Sequence, residues 1–369
     1  MLFQKSTYTE RRNALRQLVG NGLIVLFGNN DSPMNYPANA YKFRQDSSFL
    51  YFFGQHRDGL VGVIDADSGE ETLFGNEIDI DDIVWYGEVT SVVQMAEECG
   101  VAKTAPMAAL SELLNRAKAA GRTIHFLPPY RHETMLTITD LLGIHHSAQR
   151  AAASQQLIDA VVKLRLKKSA EEIEEMERAA EIGYEMHTTA MRLCRPGVTE
   201  AYIGGVLDGI ASSLGAVPSF QSIVSMHGEI LHGYPSARPL EAGRLLLCDA
   251  GAETREHYCS DHTRTTPISG KFTTKQKEIY DIVVDCHMGV EGIVLEYKTN
   301  TSVFRGQMRN VFVAEENATR RRLLQAADHI QRRTFTATRG ADYGNEFPFV
   351  YGEINFVKRK TDGGVENIR

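Results

Sequence analysis

Cysteine is scarce in this chain. The five present, Cys99, Cys194, Cys248, Cys259 and Cys286, are odd in number, scattered, and form no CxxC pair. That argues against a disulfide framework and against a structural zinc knot, and it fits a reducing, cytoplasmic setting. No apolar run reaches the length of about 18 residues that a membrane-spanning helix needs, so no span is expected. The N-terminal stretch MLFQKSTYTERRNALRQL lacks the apolar core of a signal peptide, so none is expected there. Positive charge is in deficit: 40 Lys and Arg against 47 Asp and Glu leave a net charge of −7. Phosphate binding needs a basic face, so nucleic acid is not an expected partner. No glycine-rich loop follows a strand, and no nucleophile elbow or triad spacing occurs. Nucleotide binding and serine or cysteine acyl chemistry therefore have no support.

What is present is an ordinary globular composition, 43% hydrophobic and 24% charged over 369 residues, enough for two domains with cores of their own. The spacing predicts a helix over 7–20, with Thr9 as its N-cap, Arg11, Arg12 and Arg16 on a polar face, and Gly20-Asn21-Gly22 ending it. Leu23 to Phe27 is a continuous apolar run and predicts a buried strand. A strand over Leu60–Asp65, a turn at Asp67-Ser68-Gly69 and a returning strand over Glu71–Phe74 make a hairpin. Helical patterns over 91–99 and 107–119 and an apolar stretch from Thr123 to Leu127 complete an alternating α/β unit. In FRQDSSFLYFFG, Phe43 to Gly54, the aromatics Phe49, Tyr51 and Phe52 are expected to pack in the core.

An amphipathic, then basic, segment follows over 155–168, whose charges are expected to face solvent or an inter-domain connection. Ser169 and Glu172 make a capping box for a helix whose predicted buried stripe is Ile173, Met176, Ala180, Tyr184, His187 and Met191. His187 is expected to be a core histidine with a partner, not a ligand. Pro196-Gly197 stops that helix. Thr199 then caps another over 200–213, with Tyr202, Val206 and Ile210 on one face. Phe220 to Val224 predicts a strand leading into SMHGEILHGYPS, which holds His227 and His232. Thr273 to Gln276 is a second capping box, starting a helix with Ile279, Ile282, Val283 and Cys286.

The chemistry concentrates in RLLLCDAGAETREHYCSDHTRTTP, residues 244–267, where Asp249 and Asp261 stand twelve positions apart. Leu245 to Cys248 delivers Asp249 to an Ala-Gly turn, Glu256 to Cys259 reads as a second extended run, and Thr263 to Thr266 as a third. Two carboxylates facing each other across adjacent strands repel unless a proton or cation lies between them. One reading is a hard-cation site with oxygen ligands for manganese, magnesium, cobalt or zinc. The other is a pair of turn aspartates facing water.

The string D-A-G-A-E, followed by a second Asp and H-T-R-T, resembles the first metal-ligand segment of the pita-bread metallopeptidases, which include methionine aminopeptidase, prolidase and Xaa-Pro aminopeptidase (aminopeptidase P). FRQDSSFLYFFG resembles the RQ-x-S-x-F-x-Y-L-x-G stretch of the creatinase-like N-terminal domain that aminopeptidase P and prolidase carry and methionine aminopeptidase lacks. RLKKSAEEIEEM and CRPGVTE resemble the start of the catalytic domain. The resemblance implies an α/β creatinase-like N-terminal domain over 1–165 and the first part of an α+β pita-bread domain over 166–288. It implies Asp249 and Asp261 as ligands of a dinuclear divalent metal centre, Mn2+ in type. It also implies His232, in L-H-G-Y, as a cleft histidine able to donate to a carbonyl or a leaving amine. The substrates implied are peptides with proline at the second position, cut by an Xaa-Pro aminopeptidase, and the protein is expected to be a homo-oligomer. A prolidase cutting only dipeptides and a non-catalytic binding or oligomerisation remnant are the alternatives.

The motifs stop close to Met288. The family's later H-G-x-G-H-x-x-G, E-P-G and R-I-E-D segments have no counterpart in residues 289–369, an Arg-rich tail in which only Thr319 to Ile330 reads as a helix. A frame shift or rearrangement near residue 289 explains the change. A divergent domain offering Glu315, Glu316, His329, Glu346 or Glu353 as substitute ligands is the rival. Either way the expectation is weak metal binding and little activity.

Overall fold

A computed structural model describes residues 3–78, 83–85, 87, 89–296, 357–359 and 365–367, with side chains as far as residue 289. The predicted helix over Thr319–Ile330 and the five substitute ligands lie outside the described residues. The chain divides into two compact units, one of residues 1–183, 208–220 and 251–261, the other of residues 184–207, 221–250 and 262–369.

The first unit is built on a five-stranded sheet of β1 (Leu23–Phe27), β2 (Val61–Asp65), β3 (Glu71–Phe74), β4 (Lys103–Ala105) and β5 (Ile124–Phe126), in the order β4-β3-β2-β1-β5. β1 pairs antiparallel with β2 and parallel with β5. Side chains alternate across a strand. Ile24 and Leu26 therefore join one core cluster, with Phe49, Phe52, Phe53, Ile64 and Leu73, while Leu23 and Val25 join another, with Val61, Val63, Leu110 and Leu114. Both faces of β1 are buried, which is why its sequence is apolar without interruption.

Helix α1 (Lys5–Val19) ends at Gly20 with φ +83. Its N-cap is Gln4, without a side-chain bond. Thr9, predicted to be the cap, lies inside the helix, where its hydroxyl donates back to the Lys5 carbonyl. The predicted polar face is also corrected. Arg12 is fully buried and Arg11 is 8% exposed. Arg12 donates from Nε to Glu71 at 2.8 Å, from Nη1 to the Phe52 carbonyl at 2.8 Å and from Nη2 to the Cys99 carbonyl at 2.9 Å. Acceptors from three remote segments thus replace its water.

The aromatic run forms helix α2 (Ser47–Phe53). The Asp46 carboxylate caps it, accepting from the Ser48 and Phe49 amides at 2.9 and 2.8 Å. Gly54 ends it at φ +65, and a Cβ there would lie 2.3 Å from the Tyr8 ring, so no other residue fits. Helices α3 (Val92–Cys99), α4 (Met107–Ala119), α5 (His132–Leu142), α6 (His146–Ala152) and α7 (Gln155–Leu166) complete the layers around the sheet.

Helix α8 (Ala170–Leu193) starts at the predicted capping box: the Ser169 amide donates to the Glu172 carboxylate at 2.9 Å and the Glu172 amide to the Ser169 hydroxyl at 3.3 Å. Its buried side is turned from the predicted stripe. Ala179, Ile182, Met186, His187 and Ala190 are covered, together with Glu172 and Glu175, whereas Tyr184 and Met191 are exposed. Helix α9 (Glu200–Ser213) has the predicted Thr199 cap, donated to by the Tyr202 amide at 3.2 Å. It buries Glu200, Ile203, Leu207 and Ala211 while Tyr202 is exposed. In both helices buried glutamates disguise the inner face as an outer one.

In the second unit β7 (Ile223–Ser225), β8 (Leu245–Ala250) and β10 (His262–Pro267) form an antiparallel sheet in the order β10-β8-β7. The strand expected over Phe220–Val224 begins three residues later than predicted. Helix α10 (Thr274–Glu296) has the second capping box, closed by the Thr273 amide on Gln276 at 2.9 Å. The chain between β8 and β10 belongs to the first unit. There β9 (Ala252–Glu253) pairs antiparallel with β6 (Val217–Pro218). Glu256–Cys259, expected to be extended, is a turn in which His257 takes φ +65.

Candidate functional site

Asp249 sits on the central strand of the second unit's sheet, between Ile223 of β7 and Thr263 of β10. Its Oδ1 is buried and has no hydrogen-bond partner. A buried carboxylate oxygen left in that state costs on the order of 1–3 kcal/mol unless a ligand answers it. Asp261 is exposed and stands immediately before β10, two residues from Thr263.

The neighbouring residue pair, Ala250 and His262, points to the other face of this sheet by strand alternation. His187 of α8 meets that face. It is 5% exposed, and its Nε2–H donates to the Ala250 carbonyl at 3.0 Å. The predicted core role of His187 holds, and its neighbour is one that sequence reasoning missed. The His262 ring lies edge-on to His187 with centroids 6.0 Å apart. Burial first, then the charge of Arg264 and the nearness of His187, pushes the His262 imidazole down to about 4, so it is neutral at physiological pH. The Nδ1 atoms of both rings are buried without partners.

His232 is exposed in the loop between β7 and β8. Glu200, the glutamate of CRPGVTE, organises that loop from beneath. It accepts from the Met226 amide at 2.9 Å, the Ser236 amide at 3.2 Å and the Ser236 hydroxyl at 2.5 Å. His227, not singled out for function, pairs with Glu229 at 2.9 Å.

The residues between Gly251 and Ser260 fold back on themselves. The Ala252 amide donates to the Ser260 hydroxyl at 3.0 Å and the Ser260 amide to the Ala252 carbonyl at 2.8 Å. A Cβ at Gly251 would lie 1.8 Å from the Ser260 carbonyl oxygen, so this closure demands glycine. Glu253 is buried beneath the turn, where Arg44 Nε donates to it at 2.7 Å and His257 Nδ1 lies 2.6 Å away. Burial alone would raise this carboxyl, but the His257 hydrogen bond and the Arg44 charge hold it below its usual value. Tyr258 Oη donates to Glu172 at 2.9 Å, and Arg11 lies 3.5 Å from the same carboxylate.

Burial pushes the Cys248 thiol up to about 12 and the Cys194 thiol up to about 11. Both therefore stay protonated near neutral pH. Among the described residues no group of three or more His, Cys, Asp or Glu side chains converges in a metal-binding arrangement. The chemistry on view is therefore hard oxygen donors, of which Asp249 Oδ1 is buried and unanswered. Such donors suit a divalent cation in kind.

The profile of the family described as Aminopeptidase P, N-terminal domain, matches residues 8–125, and that of Metallopeptidase family M24 matches residues 174–315. The second match continues past Met288, where the recognisable motifs stop. The chain is 30% identical over 323 residues to the Xaa-Pro aminopeptidase of Escherichia coli strain K12, covering 84% of this chain and 72% of that enzyme. It is 26% identical over 290 residues to the human Xaa-Pro dipeptidase, covering 73% and 56%. Among solved structures, the low-pH form of aminopeptidase P from E. coli superposes with a TM-score of 0.67 at 26% identity, covering 88% of this chain and 78% of that one. Proline aminopeptidase P II from Yersinia pestis gives 0.67 at 26%, covering 90% and 79%.

Proposed function

Because the chain belongs to the aminopeptidase P branch of the M24 metallopeptidases, we propose that it acts on peptides with proline at the second position, through a divalent cation held by Asp249 and Asp261. The observation that carries this reading is the buried Oδ1 of Asp249 without a hydrogen-bond partner. Asp261, immediately before β10, is assigned as the second ligand on the likeness of D-A-G-A-E…D-H-T-R-T to the family's metal-ligand segment. The bound cation, Mn2+ in our assignment, supplies a Lewis acid and an acidified water. His232, on the loop braced by Glu200, is assigned to meet the carbonyl or amine of the scissile bond.

Two carboxylates give too few oxygens for a tight centre, since hard divalent cations take six or more ligands. The reading is therefore weak binding of one cation and slow turnover by this chain. We keep the functional boundaries at residues 165/166 and 288/289, and assign the protein to the cytoplasm as a homo-oligomer. Among the described residues no helix is long and apolar enough to cross a membrane.

The test is hydrolysis of an Xaa-Pro-Xaa tripeptide by the purified chain, with and without added Mn2+. Slow, Mn2+-dependent release of the first residue is expected. Rapid turnover would show that the chain has further ligands. The human dipeptidase relative favours a second reading, a dipeptidase, which the same assay separates by an Xaa-Pro dipeptide being cut in preference to the tripeptide.

A further inference from the structure

The turn joining the two aspartates contains a residue held in an unfavourable conformation. His257 has φ +65, the only positive φ at a non-glycine residue among those described. A side chain there costs about 1 kcal/mol or more, so contacts must hold it.

Those contacts come from the two ends of α2. On its N-terminal side, Arg44 donates from Nε to Glu253 Oε1 at 2.7 Å and from Nη1 to the Ser47 hydroxyl at 2.9 Å, with the Gln45 carbonyl as a further acceptor. On its C-terminal side, His56 Nδ1 lies 2.9 Å from His257 Nε2. The two rings overlap, with centroids 4.5 Å apart and planes 30° apart, and Phe43 flanks His56 at 5.1 Å. The other nitrogen of His257 is the one bonded to Glu253 at 2.6 Å. Burial, reinforced by His257 and Arg44, pushes His56 down to about 4, so it is a neutral ring at physiological pH. Within the same unit, then, a chain of bonds runs from Arg44 through Glu253 and His257 to His56. It clasps a turn already closed by Ala252 and Ser260.

Each end of this turn continues directly into a strand: Gly251 follows β8, and Ser260 precedes Asp261 and β10. Asp261 stands between His262, paired with Ala250, and Ser260, bonded to Ala252, so the turn beyond reaches it through the Ala252–Ser260 closure. We infer that Arg44 and His56 are positioning residues for the metal-ligand segment, acting through Glu253 and His257 to hold the turn that fixes Asp261. This rests on the assignment of Asp249 and Asp261 as ligands. Neither Arg44 nor His56 touches the cation; outer partners of this kind orient the groups that do.

The experiment measures Mn2+ uptake by water-proton relaxation, and backbone amide exchange at Ala252 and Ser260, on the full purified chain. The proteins are wild type, Asp249→Asn, Arg44→Met, Arg44→Lys, His56→Phe and His257→Gly. Phe at 56 keeps the ring stack and removes the nitrogen. Gly at 257 removes the clasp and the strain together. Arg44→Met, His56→Phe and His257→Gly are expected to weaken Mn2+ binding about tenfold and to speed exchange at both amides, with Arg44→Lys recovering part of the affinity. Circular dichroism confirms that each variant is folded, and His257→Gly stands in if the Arg44 variants are not. If Asp249→Asn abolishes uptake while Arg44→Met, His56→Phe and His257→Gly bind as wild type, the positioning role is overturned and the ligand assignment stands. If wild type takes up no Mn2+, or Asp249→Asn binds unchanged, the ligand assignment falls and the positioning role with it.

Discussion

Arg12 shows what a sequence hides at the level of a single residue. Its place in α1 reads as one of three arginines on a wet face, yet it is fully buried among Glu71, the Phe52 carbonyl and the Cys99 carbonyl. Those partners lie 40 to 87 positions away, so no local pattern announces them. Removing one partner of a buried ion pair strands the other. Arg12→Ala is therefore expected to lower stability by about 3–5 kcal/mol, read as a shift of the urea midpoint. Glu172, beside Tyr258 and Arg11, and Glu200, beside Met226 and Ser236, are buried for the same kind of reason. The two aspartates, by contrast, stand out in the sequence by residue type and by their spacing in D-A-G-A-E…D-H-T-R-T, and their role as ligands is a proposal. The His56–His257 contact was not legible, since 201 positions separate its members.

A second residue sets an acid limit. His125 is 3% exposed and bonded by Nε2 to the Asn21 carbonyl at 3.1 Å and by Nδ1 to the Ser154 hydroxyl at 2.7 Å. A carbonyl only accepts, so Nε2 carries the proton and Nδ1 accepts from Ser154. Burial pulls this imidazole below its ordinary 6.5. The unfolded chain therefore takes up the proton first as pH falls. The stability that the neutral ring contributes is intact above pH 6.5, is lost as pH drops through that value, and stops falling once the folded ring protonates. His125→Gln is expected to flatten the pH dependence of the urea midpoint below pH 6.5. An unchanged slope would remove His125 as the cause.

Elements were read more securely than faces. The apolar strands β1 and β2, the β2–β3 hairpin and helices α3 and α4 sit where their patterns predict, because a sheet covered on both sides leaves an uninterrupted apolar signature. Helices α8 and α9 have the predicted starts, set by local capping, but present a neighbouring face, on which Glu172 and Glu200 meet distant partners. The turn over Glu256–Cys259 imitates a strand in composition, but backbone bonds between Thr254 and both His257 and Tyr258 close it, and Glu253 and His56 hold the His257 ring. Capping gives a direct test. Asp46 holds two free amides at the start of α2. Asp46→Ala is expected to cost about 1 kcal/mol, whereas Asp46→Asn, which keeps an acceptor, should cost a few tenths. Equal losses in thermal melts would show that the carboxylate's charge, and not its cap bonds, is what α2 needs.

At the scale of the whole molecule, the chain combines an aminopeptidase P N-terminal domain match with a metallopeptidase M24 match, and its alignment covers 72% of the E. coli enzyme. Asp249 and Asp261 are the donors assigned to the cation, and the cation is therefore expected to be weakly held and readily stripped. Washing with a chelator should abolish the slow tripeptide cleavage, and added Mn2+ should restore it. Cleavage that survives the chelator would point to chemistry that does not use a metal.

The central claim is that Asp249 and Asp261 share one cation. Crystals of the purified chain soaked in excess Mn2+ and measured at the manganese absorption edge test it most directly. The predicted result is an anomalous peak within bonding distance of both carboxylates, absent in Asp249→Asn. A peak held by other residues, or none beside Asp249 while the tripeptide is still cut, would contradict it.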